Sequence, residues 1–130
     1  MLYTGMAPIV YTGGTLVTLL ATEPTLEMIG TPAPGGMITL RLRAEPGTVA
    51  RLNLGKTPIV QATPGILVEA LVQKERSFDR GVVPASGVID SVWSFAPSAP
   101  QGKLLIFQVR LVDPITGLAQ RSNSIEAIVQ

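Results

Sequence analysis

Apolar and polar residues alternate with a period of two over most of this chain. Ile38, Leu40 and Leu42 alternate with Thr39, Arg41 and Arg43. That places apolar side chains on one face and cations on the other, the pattern of a half-buried strand. Ala50, Leu52 and Leu54 alternate in the same way with Arg51 and Asn53. So do Leu105, Phe107, Val109 and Leu111 with Ile106, Gln108 and Arg110, and Ile125, Ala127 and Val129 with Glu126 and Ile128. Ile89, Ser91, Trp93 and Phe95 line one side of a further run. Between the runs lie Thr31-Pro32-Ala33-Pro34-Gly35-Gly36, Glu45-Pro46-Gly47, Thr63-Pro64-Gly65 and Ala96 through Gly102. Their Pro and Gly content predicts turns and loops.

Asp113-Pro114-Ile115-Thr116-Gly117 is the sharpest local signal. Asp caps the turn, Pro presets φ at the first corner and Gly takes the left-handed position, so the last two strands are expected to form a hairpin. Ile66 to Arg76 reads two ways. Ala, Leu and Glu favour a short helix locally, whereas Leu67, Glu69 and Leu71 share one face of a strand. The all-β surroundings favour the strand. Counting from Thr25 gives seven or eight strands divided by turn signals, which predicts an all-β, immunoglobulin-like antiparallel β-sandwich.

Composition adds to this picture mainly by exclusion. The 130 residues suit one domain, and a formal charge of +1 projects no strong field toward nucleic acid or an anionic membrane. Charged residues make up 15%, against roughly 25% in an average soluble domain, and the mean hydropathy is +0.39. Part of the exterior is therefore expected to be covered, most simply by another copy of the chain. No run approaches the roughly 18 apolar residues of a membrane span. No Lys or Arg precedes Arg41, so the basic start of a secretory leader is not expected.

Residues 1–22 are surplus to a sandwich spanning 23–130. They carry no charged side chain and are rich in Thr, Tyr, Val and Leu. An uncharged segment of high strand propensity is an aggregation hazard unless paired. It is expected to form a strand arm, either folded back on its own sheet or completing the sheet of a neighbour. A head-to-tail exchange of the second kind builds a filament. Gly13-Gly14 is the natural hinge. The expected interface residues are Leu2, Tyr3, Ile9, Val10, Tyr11, Leu16, Val17, Leu19 and Leu20.

The chemistry-bearing residues are sparse. Without Cys or His there are no disulfides and no thiolate or imidazole ligands, and the commonest general base is missing. The three lysines, Lys56, Lys74 and Lys103, lack a Ser-x-x-Lys neighbourhood, and no phosphate-binding glycine loop occurs. Asp79, Asp90 and Asp113 are isolated, unlike the ligands of a calcium loop. Glu69 and Asp90 interrupt apolar runs and are read as outward or edge-strand carboxylates, with Glu69 open to pairing with an Arg. Arg41, Arg43, Arg51 and Arg110 are expected on exposed strand faces, as a solvated surface or a basic stripe without interleaved aromatics. Trp93, beside Phe95, is read as core. No catalytic, metal or cofactor site is expected.

From about Pro24 to the end, the chain resembles a largely uncharacterised domain at the C-terminus of secreted planctomycete and deltaproteobacterial proteins. The matching residues are Ile29 to Gly36, Leu52-Asn53-Leu54-Gly55, Phe107 to Pro114, and Ser122-Asn123-Ser124-Ile125-Glu126. The resemblance implies an extracellular β-sandwich and little chemistry. The expected role is a structural subunit of an extracellular or surface assembly, its partner another copy of itself. The alternatives are a surface module binding carbohydrate or protein, and a virion decoration or fibre protein.

Overall fold

The computed structural model describes residues 23–130 except Gly65. Those residues form the strands β1 (Thr25–Ile29), β2 (Met37–Arg43), β3 (Val49–Gly55), β4 (Pro58–Gln61), β5 (Ile66–Leu67), β6 (Ala70–Val72), β7 (Arg76–Val82), β8 (Val88–Ser94), β9 (Leu104–Val112) and β10 (Ala119–Ile128). There is no helix among them. Two sheets pack face to face, one in the order β1-β2-β8 and the other β5-β10-β9-β3-β7. All pairings are antiparallel except the two-residue contact of β5 with β10, which is parallel.

The period of two does what it predicts. Ile38, Leu40 and Leu42 from one sheet meet Ala50, Leu52, Leu54, Leu105, Phe107, Val109 and Leu111 from the other in a single buried cluster. Ala127 and Val129 join it, with Ile125, Ile89 and Trp93 packed against it. At one end of the sandwich, called the upper end below, the Ala44 N–H donates to Gly87 O at 2.9 Å and the Val83 N–H to Thr48 O at 2.8 Å. The expected hairpin joins β9 to β10 at that end. Asp113 Oδ1 accepts the Ile115 N–H at 2.8 Å, and Gly117 takes φ 75°.

Residues 58–75 depart from expectation. Ile66 to Arg76 is neither a helix nor one strand: it breaks at Val68, whose φ of 68° ends β5 before β6 begins. A β-branched residue in that region is rare. β6 pairs with β4 as a separate ribbon that lies against β9. Val72 and Ile106 are consequently buried outside the main cluster. Ile106 and Gln108, on the polar-facing side of β9 by alternation, are each only 1% exposed.

Gln108 holds this cover in place. Its Oε1 accepts the Leu71 N–H at 2.9 Å, and its Nε2 donates to Glu69 O at 3.0 Å and to Ser122 O at 2.9 Å. The main chain here is thus satisfied by a side chain instead of a ladder, which is why the strand stops. Arg121 adds bonds to Val68 O and Thr63 Oγ1, both at 3.2 Å. A bulge in β10 between Arg121 and Ser124 frees two more clamps. Ser122 Oγ accepts the Val109 N–H at 3.0 Å. Asn123 spans to the other sheet, accepting the Leu26 N–H at 2.7 Å and donating to Leu26 O at 2.9 Å.

Candidate functional site

A groove of about 370 Å³ lies at the lower end, between the sheets, on the side where β7 and β8 are the edge strands. Arg76 opens β7 in register with Leu54, so alternation turns it toward the inner face. Its guanidinium lies 5.1 Å from the Phe78 ring centroid and 5.8 Å from that of Trp93. Trp93 meets Phe78 and Phe107 edge-on, at 6.0 and 5.8 Å, a favourable aromatic geometry. It packs as core, as its sequence neighbourhood implied.

Lys56 and Lys103 stand with Arg76 on the groove lining, and Glu75 is the single carboxylate there. Glu75 Oε2 accepts the Lys56 backbone N–H at 3.2 Å. The ion pairs among the described residues are Arg41–Asp90 and Arg43–Glu27, so none of the three groove cations is ion-paired, and they outnumber the one carboxylate, Glu75. Three cations around a cleft that Trp93 and Phe95 also line suit an anionic group on a small ligand. The two-residue spacing of Arg76 and Phe78 on one strand face was the available sequence signal, and it carried no mark of a groove.

The edges of the sandwich differ. β7 is blunted by Arg76, Asp79 and Arg80, by a bulge opposite Ala50 and Arg51, and by Gly81 at φ 75°. These are devices that discourage strand addition. β8 pairs only with β2 among the described residues, and it has neither a bulge nor a positive-φ glycine. Its one charged residue, Asp90, is engaged by Arg41 at 2.8 and 2.9 Å, and Val92 is 62% exposed.

The carboxylates singled out from sequence do not come together. Asp90 is an outward edge-strand carboxylate; the Arg41 hydrogen bond holds it below the usual carboxylate range and raises Arg41 in turn. Glu69 makes no ion pair with an Arg and is bonded through its backbone oxygen. No group of three or more Asp or Glu among the described residues is placed to hold a metal ion. The arginines form no single stripe. Arg41 and Arg43 belong to the three-stranded sheet, whereas Arg51 and Arg110 face each other on the five-stranded one. Arg121, passed over in sequence, continues the latter row. Burial, then the neighbouring Arg110, lowers its pKa.

Leu2, Tyr3, Ile9, Val10, Tyr11, Leu16, Val17, Leu19 and Leu20 lie outside the described residues. Comparison with family models, curated proteins and solved structures finds no match.

Proposed function

We propose that the chain is a structural subunit of an extracellular or surface assembly, joined to its neighbours by strand exchange through residues 1–22. The observation that carries this reading is the open, unbulged outer edge of β8, in a chain that also holds an uncharged segment of high strand propensity. Strand addition supplies main-chain hydrogen bonds to such an edge. Glu23 lines a shallow depression with Ser86, Gly87 and Val88, so the described residues begin near the start of β8. Twenty-two extended residues reach roughly 70 Å, enough to span a neighbouring sandwich. The strand order supports an immunoglobulin-like assignment, since β1-β2-β8 against β10-β9-β3 follows A-B-E against G-F-C. The resemblance to secreted domains supports the location.

The chain contains no Cys, so engineered disulfides report cleanly. Val92→Cys combined in turn with Leu16→Cys, Val17→Cys or Leu19→Cys is expected to give a ladder of cross-linked species on mild oxidation. Disulfides closed within single chains would keep the edge and reject the exchange. No disulfide in any pair, with monomers by light scattering, would reject both.

The groove favours a second reading, a surface module that binds an acidic sugar. Calorimetry with uronic-acid oligosaccharides should show binding that Arg76→Ser removes. Equal heats for both chains would sink it.

A further inference from the structure

The upper half of the five-stranded sheet carries two rows of side chains on its outer face. Val82, Val49, Val112 and Ala119 stand abreast on β7, β3, β9 and β10. One strand repeat below, roughly 7 Å, Asp79, Arg51, Arg110 and Arg121 stand abreast on the same strands. Above the valines the β9–β10 hairpin projects Ile115, 93% exposed, and Leu118, 70% exposed, while Val82 is 61% exposed. Apolar groups thus occupy the tip and its shoulder, with cations set back behind them.

Like charges directly opposite across strands are destabilising, and Arg51, Arg110 and Arg121 form such a series. None of them makes an ion pair among the described residues. Asp79, in register with Arg51, spends its Oδ1 on the Gly81 N–H at 2.8 Å. Asp113, at the base of the hairpin, spends its own on the Ile115 and Thr116 N–H groups. Arg121 is partly withdrawn onto Val68 and Thr63, whereas Arg51 and Arg110 are exposed.

We propose that this end of the sandwich docks peripherally on an anionic lipid surface. The hairpin tip, Ile115 and Leu118, enters the boundary between headgroups and acyl chains, and Arg51 and Arg110 meet the lipid phosphates. The order of layers decides the partner. A bilayer presents phosphate outside hydrocarbon, so an apolar tip with cations behind it matches both layers at once. A soluble polyanion would use the arginines and leave the tip in water. Single-stranded nucleic acid calls for stacking aromatics, and Phe78, Trp93 and Phe107 pack toward the core. A protein partner is favoured by pockets that take anchors, whereas this tip protrudes. The docking requires nothing of residues 1–22 and is independent of the exchange reading.

The test is flotation of the full-length chain with vesicles of phosphatidylcholine, with and without phosphatidylglycerol; flotation leaves protein assemblies behind. The chain is expected to float with the anionic vesicles, at least about tenfold less with phosphatidylcholine alone, and less as salt rises. Ile115→Asp with Leu118→Asp, and separately Arg51→Glu with Arg110→Glu, should each lose at least about tenfold, with thermal unfolding unchanged because all four positions are exposed. Absence of flotation with anionic vesicles would overturn the proposal. So would wild-type flotation by the Asp variant, especially if the Glu variant had lost binding to dextran sulfate, which would mark a polyanion site on the sheet face.

Discussion

Gly55 and Asp90 show how differently two residues can be legible. Asp90 was readable as an outward carboxylate, because it interrupts an apolar run on a strand. Its carboxyl is held below the ordinary range by Arg41, so as pH falls the unfolded chain takes up the proton first. The pair's contribution is complete above the unfolded value, near ~3.9, and is lost as pH drops through the folded one. Asp90→Asn should therefore melt lower than wild type by a constant, small margin at neutral and mildly acidic pH. Below about pH 4 the two melting curves should converge; a margin that persists there would mean the substitution acts through something other than the ion pair. Gly55 was legible only as the end of a short motif. The structure gives the reason: a Cβ there would collide with Gln73 O and Val72 Cγ2, where the chain recrosses the end of β3. Gly55→Ala is expected to cost about 1–3 kcal/mol by overpacking. Gly47, at φ 92° with open space around it, isolates the conformational cost, so Gly47→Ala should lose only about 1 kcal/mol. Urea midpoints measure both, and equal losses would remove the steric account.

Among the elements, β2, β3, β8, β9 and the second half of β10 were readable because their residues alternate with a period of two, whereas β7 carries no such pattern. The ribbon was not readable either. Ala70 to Val72 lies in a segment of mixed helix and strand propensity, and its conformation is decided by Gln108, nearly forty residues away. No local pattern marks Gln108 as buried, since alternation with Val109 places it on the polar face. The β10 bulge was hidden for the same reason: nothing local in Ser122-Asn123-Ser124 shows that the Ser122 and Asn123 side chains bond Val109 and Leu26. Gln108→Leu preserves size but leaves the Leu71 N–H and the Glu69 and Ser122 oxygens unpaired, at a cost of about 2–3 kcal/mol. Native-state amide exchange should then speed up at Leu71 well beyond any change at Leu40 or Phe107. A uniform acceleration would show that ribbon and sandwich open as one unit.

For the whole molecule, the question is whether residues 23–130 are a complete folding unit. The main cluster draws on both sheets and is closed at the upper end by the Ala44, Gly47 and Val83 backbone bonds. No buried side-chain nitrogen or oxygen among the described residues lacks a partner, and native cores are satisfied in this way. A chain starting at Glu23 should therefore unfold in one cooperative step, with a urea slope of about 1–3 kcal/mol per molar. Its unfolding free energy should stay within ~1 kcal/mol of the full-length monomer's. If the arm instead folds back on its own sandwich, truncation bares β8, removes main-chain hydrogen bonds, and lowers both midpoint and cooperativity. Urea unfolding followed by circular dichroism and Trp93 fluorescence separates the cases. Two coincident transitions at an unchanged midpoint leave the arm free to serve another subunit, whereas a lowered or broadened transition assigns it to its own fold.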